Sequence, residues 1–403
     1  MATDKLYRNN VNLREFDATV VSIETDGDCS VIELDRTAFF PEGGGQSSDT
    51  GQINGTSVSH VFEKNGTIYH KLVTETNLRP GNHVFGTIDW DRRFENMQRH
   101  CGEHILTGVI FREWGGINRG FHMGDEYMTI DISFEDENTG TEFTWDMCLE
   151  AERLANEIIW DNVPMITRHF DTIDEVKNIP VRKKVTVESD ITLVGIGSPE
   201  NGWGCCACCG THPSYTGQVG LVKIFRIEPN KGMWRIYFEA GRRAFEDYRK
   251  RFAVLSEIAS GYSAGTDDVI DKIRSHEQKQ KQLRQDYFEL RQTVIRQKAE
   301  IIQKEISDGL LHVYTIDELH ADDLRNMARL LTFSGPVIFC DRSSLTALLF
   351  SDGKVDCGKL IKDNAPVFSG KGGGRNDSAQ AKFSSEENMY LFADAAGKLL
   401  RQV

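Results

Sequence analysis

Two short clusters of histidine and cysteine hold the chemistry this sequence offers: His100-Cys101-Gly102-Glu103-His104 and Cys208-Cys209-Gly210-Thr211-His212. Around the first, Phe94, Met97, Ile105, Leu106, Val109 and Ile110 recur with a helical period, so two histidines four apart share one face. A helix thus presets two imidazoles. The second cluster lies among Gly204, Gly210, Pro213 and Gly217, a composition that predicts a loop able to turn a thiolate and a third imidazole toward a common point. Three nitrogens and one sulfur suit a tetrahedral Zn²⁺. One ion per chain on His100, His104, Cys208 and His212 is therefore expected. Cys205, Cys206, Cys208 and Cys209 also form two C-x-x-C pairs, so an all-cysteine structural site competes; no second C-x-x-C elsewhere completes it.

The elements that must position these groups can be outlined from periodicity. Residues 1–90 alternate in short runs broken by Gly, Asn and Asp, which predicts a small β-barrel. Residues 91–241 mix helices near 91–112 and 146–161 with strands near 127–133, 190–197, 220–228 and 234–239, an α+β layer holding both clusters. Residues 242–308 are helical. A seam through Val269, Ile273, His276, Leu283, Tyr287, Leu290, Val294 and Ile301 fits a helical hairpin or a coiled coil, and Gly309 closes it. Residues 309–403 form an α/β pattern interrupted by Gly370-Lys371-Gly372-Gly373-Gly374-Arg375, a glycine run between cations that reads as a surface turn or a phosphate-approaching backbone. The fold class expected is α+β throughout the first part, with a C-terminal α/β domain.

At 403 residues the chain is long enough to bury several cores without help from a metal. Nine cysteines, four of them within five residues, do not make a disulfide framework. No leader-like or membrane-length apolar run occurs, so a soluble cytoplasmic protein is expected, with no membrane partner. The formal net charge of −14 opposes nucleic-acid binding by the molecule as a whole. Basic groups still cluster at Arg92/Arg93/Arg99, Arg182/Lys183/Lys184 and Lys371/Arg375, where solvated surface charge is the plainer reading.

The surrounding residues resemble a known family. Cys208-Cys209-Gly210-Thr211-His212-Pro213, followed by Thr216-Gly217-Gln218-Val219-Gly220, is similar to the Cys-Gly-Gly-Thr-His signature of the alanyl-tRNA synthetase editing domain, and His100 and His104 match its His-x-x-x-His. Phe40-Pro41-Glu42-Gly43-Gly44-Gly45-Gln46 looks like its glycine-rich motif, and the run from Gly370 to Ala381 resembles the DHH-associated domain that ends the same synthetase. With about ninety residues ahead of the histidines there is no room for aminoacylation chemistry. The chain is identified on these motifs as a long-form member of the free-standing AlaX editing proteins.

That resemblance implies a hydrolase acting on mischarged tRNA(Ala), with seryl-tRNA(Ala) the first expectation and glycyl-tRNA(Ala) the second. It implies Gln46 and Thr211 as catalytic residues, Gly43, Gly44, Gly45 and Cys101 against the substrate, Lys371 and Arg375 on tRNA, and a homodimer through the helical or C-terminal segment. Cys209 and Cys101 depart from the family pattern, and Cys205 and Cys206 are additional, which leaves open which thiolate binds. Whether zinc activates water or positions substrate is also open. A non-catalytic zinc-stabilised tRNA-binding protein and a cysteine-based redox or metal-buffering protein are the competing readings.

Overall fold

The computed structural model describes residues 2–134, 142–197, 204–306 and 310–400. The boundary expected at 308–309, with Gly309, lies outside them. The chain divides into two compact units, Met1–Glu257 and Ile258–Val403.

In the first unit, β1 (Glu15–Asp26), β2 (Cys29–Leu34), β3 (Gly51–Ile53), β4 (Thr56–Lys64), β5 (Thr67–Leu72) and β6 (His83–Ile88) close into a barrel in the order β1-β2-β5-β4-β3-β6. Strict alternation drives it: along β5 every second residue, Ile68, His70 and Leu72, turns inward. The interior is filled by Ile32, Leu34, Phe39, Phe40, Val61 and Leu72. Helix α1 (Trp90–Trp114) follows directly. Asp89 caps its first turn by accepting from the Arg92 N–H, and Gly115 at φ 69° ends it in the left-handed conformation.

Helix α1 is buried over most of its length. Its Ile105, Leu106 and Val109 share a core with Ile130, Ile236 and Phe238 of a four-stranded sheet, and with helix α2 (Trp145–Trp160). That sheet joins β7 (Ile117–Met123), β8 (Met128–Ser133), β12 (Val222–Asn230) and β13 (Met233–Ala240) in the order β12-β13-β8-β7. A three-stranded sheet, β9 (Met165–Thr172), β10 (Ser189–Ile196) and β11 (Cys205–Ala207), carries the second cluster. Pairing of Leu193 with Ala207, Val194 with Cys206 and Gly195 with Cys205 fixes the strand. The Cys208 N–H then bonds the Thr192 carbonyl at 2.9 Å, which sets where the loop leaves the sheet.

Two basic groups read from sequence as surface charge are internal. Arg93 and Asp49 are both fully buried; the Arg93 Nε lies 2.9 Å from each Asp49 oxygen, and Nη2 also bonds Asp49 and the Ala38 carbonyl. Arg99 and Glu239 form a second buried pair between α1 and β13.

Helix α3 (Gly241–Gly261) runs across the division between the units. In the second unit, α4 (Val269–Glu305) spans 37 residues. Its seam differs from the sequence expectation: Leu283, Tyr287, Leu290 and Ile301 are exposed, while Ile295, Ala299 and Ile302 are buried. The last turns pack on Leu324, Met327 and Phe339, and this core, rather than a heptad partner, selects the inward face. A five-stranded sheet follows, comprising β14 (His312–Thr315), β15 (Val337–Asp341), β16 (Thr346–Phe350), β17 (Gly370–Gly374) and β18 (Ser378–Phe383), in the order β14-β15-β16-β18-β17. Helices α5 (Ala321–Ala328), α6 (Cys357–Asn364) and α7 (Glu386–Leu400) accompany it. The glycine run is thus an edge strand and not a turn: β17 pairs with β18 from Gly370↔Phe383 to Gly374↔Ala379, and that ladder satisfies the backbone groups on its inner side. Among the described residues no helix is long and apolar enough to cross a membrane.

Removing one partner of a buried pair strands the other charge. Asp49→Ala is expected to lower unfolding stability by about 3–5 kcal/mol in urea titration, whereas Arg153→Ala, which breaks exposed helix pairs with Glu150 and Glu157, should leave the unfolding midpoint nearly unchanged.

Candidate metal centre and cavity

The two clusters meet. One ligand atom from each of His100, His104, Cys208 and His212 lies within 4.8 Å of every other. Helical spacing stacks the His100 and His104 rings at 4.8 Å, and His212 approaches both at 4.9 Å. Among the described residues this is the grouping that can hold a metal ion. Of the neighbouring cysteines, Cys205 is in a separate core with Val176 and Leu193, Cys209 is exposed, and Cys206 touches the far ring nitrogen of His104.

Hydrogen bonding fixes the state of His100. Gln46 Oε1 accepts the Thr211 N–H at 3.0 Å, and that group can only donate, so the oxygen of the carboxamide is the atom at this position. The same oxygen lies 2.9 Å from His100 Nδ1, which therefore carries the proton. The lone pair of Nε2 then faces Cys208 Sγ at 3.2 Å. Gln46 Nε2 in turn donates to Thr211 Oγ1 at 2.8 Å. Gly210 allows this approach, because a Cβ there would sit 2.3 Å from His100 Cε1.

His104 points the same way. Its Nδ1 lies 3.2 Å from Cys206 Sγ, 3.3 Å from Arg182 Nη2 and 3.4 Å from Glu103 Oε2, while its Nε2 is buried without a partner. His212 Nε2 is likewise buried and unpartnered. Two orphaned ring nitrogens directed at a thiol and a third imidazole fit a single divalent ion. Burial is the leading cause that holds the His100 imidazole down at about 3 and His104 at about 4. His212 is pushed well below the usual range, again first by burial and then by the other two rings. All three are neutral donors at neutral pH. The same burial pushes the Cys208 thiol well up, and a cation among these atoms is what would hold it as thiolate.

The cluster opens on a cavity of about 410 Å³, whose lining includes Gly44, His100, Glu103, Asn118, Phe121 and Arg182. Of the glycine motif, Gly44 reaches this wall. Gly43 and Gln46 exchange backbone hydrogen bonds of 3.1 and 3.0 Å across Gly44 at φ 62° and Gly45 at φ 80°, a turn in which both central residues need the left-handed region. Local turn geometry accounts for Gly44 and Gly45.

Three assignments from sequence change. Cys101 does not face the cavity: one residue on from His100 it is rotated about 100° into the core beside Ile105 and Val109, with no exposure. Gln46 is 1 % exposed and its carboxamide is engaged by His100 and Thr211 instead of facing the cavity. Thr211 is buried against Gln46 by both its N–H and its hydroxyl. Lys371 and Arg375 are exposed on or beside the edge strand of the second unit.

Sequence reasoning missed the polar wall beside His104. Glu103 Oε1 accepts from Asn118 Nδ2 at 2.7 Å and from Thr107 Oγ1 at 3.1 Å, and Arg182 donates to Thr107 Oγ1, to the His104 carbonyl and to Cys206 Sγ. Burial works to raise the Glu103 carboxyl, but His104, Arg182, His100 and the Asn118 amide together hold it below the usual range. Glu103 was visible inside the His-x-x-x-His motif. Arg182 was hidden in a basic triplet.

Family models match three parts of the chain: tRNA synthetases class II (A) over 5–92, the threonyl and alanyl tRNA synthetase second additional domain over 191–237, and the DHHA1 domain over 308–402. Among curated relatives, the alanyl-tRNA editing protein AlaX-L of Pyrococcus horikoshii is 30% identical over 95% of both chains. AlaX-M of Methanosarcina acetivorans is 34% identical over 59% of this chain and 98% of its own. The alanine–tRNA ligase of Thermococcus kodakarensis is 29% identical over 95% of this chain, which spans 42% of that enzyme. With its histidine and cysteine motifs folded into one cluster and 95% of its length matched by AlaX-L, this chain belongs to the AlaX family of alanyl-tRNA editing proteins.

Proposed function

We propose that the chain is a cytoplasmic trans-editing hydrolase that deacylates mischarged tRNA(Ala), with seryl-tRNA(Ala) preferred and glycyl-tRNA(Ala) second, and that it holds one Zn²⁺ on His100, His104, Cys208 and His212. The observation that carries this is the convergence of three neutral imidazoles and a thiol, two ring nitrogens unpartnered, beside a cavity that His100, His104 and Cys208 line. The bound ion supplies net positive charge where a carbonyl oxygen gains negative charge.

The protein's residues do the rest. Gln46 keeps His100 in one tautomer and orientation, and Thr211 keeps Gln46 in place. Phe121 packs against the His100 ring at 5.7 Å and lines the cavity, which limits water beside the cluster. The polar wall of Thr107, Asn118 and Glu103 offers partners for a seryl hydroxyl that an alanyl methyl cannot engage, and losing such a buried bond costs orders of magnitude in rate.

Contact with the tRNA body falls to the second unit in this reading. Lys371 stands directly opposite Lys382 across the β17–β18 ladder. Like charges so placed repel, and a bound phosphate relieves them. Exposed Leu283, Tyr287 and Leu290 on α4 support a homodimer through the helical segment.

His100→Ala is expected to lose stoichiometric zinc and single-turnover deacylation of seryl-tRNA(Ala), while Cys205→Ala keeps both; retention of zinc by the first and its loss from the second would point to a cysteine site. Gln46→Ala should weaken zinc affinity by about 10–100-fold, read by competition with a chelator, because it frees the His100 ring. The Lys371→Ala/Arg375→Ala protein should bind tRNA more weakly, with a log–log salt slope flatter by about one to two units. An unchanged slope would assign this strand to structure alone.

A further inference from the structure

Every aminoacyl-tRNA carries an α-ammonium group two bonds from the ester carbonyl carbon. A cavity that receives this end needs an acceptor for it close to the reacting carbon. Two carboxylates line the cavity, Glu103 and Asp190. Asp190 is committed to Arg8 by two bonds of 2.6 and 2.9 Å.

Glu103 is placed differently. It is 5 % exposed, lies on the cavity wall between the two helix histidines in sequence, and receives the Asn118 amide on one oxygen at 2.7 Å, while the single proton of the Thr107 hydroxyl has a nearer acceptor in the Glu103 carbonyl at 2.8 Å. Its second oxygen has a long contact of 3.4 Å to His104 Nδ1, for which Cys206 Sγ at 3.2 Å also competes. Arg182 donates to Thr107, to the His104 carbonyl and to Cys206. An ionised carboxylate offers about four acceptor positions, so Glu103 keeps capacity on the oxygen nearest the metal-ligand cluster. A buried carboxylate with spare lone pairs facing a cavity is a cation-binding group.

We propose that Glu103 binds the α-ammonium group of the aminoacyl ester and is held for that purpose by Asn118. This rests on the deacylase reading above and adds the contact that makes the cavity specific for aminoacyl esters rather than for esters in general. The rival role, in which Glu103 acts through His104 as an orienting carboxylate, makes a different prediction.

The test compares seryl-tRNA(Ala) with its glyceroyl counterpart, in which a hydroxyl replaces the ammonium, in single-turnover hydrolysis by the full-length, zinc-loaded protein. Each rate is divided by the spontaneous hydrolysis rate of the same ester. The wild type should favour the ammonium ester by at least about tenfold, the worth of a charged hydrogen bond, and Glu103→Gln should bring that ratio close to one while its zinc content stays at one per chain. A wild type that hydrolyses both esters equally overturns the proposal, as does a Glu103→Gln protein that slows both by the same factor. Should Glu103→Gln bind less zinc, Asn118→Ala replaces it, since it withdraws the amide from Glu103 and does not touch His104; an unchanged ratio in that variant counts against the proposal too. A wild type inactive on every aminoacyl-tRNA(Ala) brings down the deacylase reading and this one with it, whereas an active but indifferent wild type removes only this one.

Discussion

The buried Arg93–Asp49 pair is the constraint on which the site geometry rests. Arg93 stands two turns before His100 on α1, and Asp49 stands three residues after Gln46 in the loop that leaves the barrel. Fastening 93 to 49 therefore brings the Gln46 carboxamide and the His100 ring to the same height along the helix. Asp49 also accepts the Phe40 N–H, and Arg93 donates to the Val11 and Ala38 carbonyls, so the pair ties four points of the barrel to one point of the helix. Fully desolvated charges are tolerated there because nearly every donor and acceptor finds a partner. Arg99 and Glu239 repeat the device between the helix and β13.

With the helix fixed on both sides, the ligand cluster follows from small geometric facts. A four-residue spacing stacks two imidazoles, a sheet register delivers Cys208, and a donor-only N–H at Thr211 dictates which nitrogen of His100 is protonated. Burial then keeps the rings neutral. The cluster is preorganised through contacts between protein groups, and the neutral rings need lose no proton before they bind a cation.

The cluster of His100, His104, Cys208 and His212 was legible in sequence because the spacing within each motif is local and the chemistry of the residues is narrow. The roles of their neighbours were not. Cys101 and Glu103 flank the same motif, yet their directions depend on which sides of α1 meet the sheet and the cavity, and that is a tertiary fact. Gln46 looked like a substrate group because it ends a glycine run, and only its contact with a residue 54 positions away shows that its acceptor is already used. Arg93, Arg99 and Arg182 are indistinguishable from surface charge in a sequence, and each makes buried or partly buried contacts. In the second unit, the glycine strand was misread because glycine content describes local preference, while the β18 ladder decides the outcome.

The crowding of Cys205, Cys206, Cys208 and Cys209 shows how backbone geometry selects between two metal chemistries. Successive residues of β11 point to opposite faces, so Cys205 joins Val176 and Leu193 while Cys206 turns to His104 and Arg182. One residue past the strand, Cys208 reaches the imidazoles, and Cys209 packs on the glycine turn, its sulfur 3.1 Å from where a Gly44 Cβ would stand. The four sulfurs are thereby distributed among a core, a polar wall, a ligand cluster and a loop contact. An all-cysteine site would require β11 to abandon its pairing with β10, and that pairing is what delivers Cys208. The fold that makes the mixed nitrogen and sulfur site is the same one that dismantles its competitor.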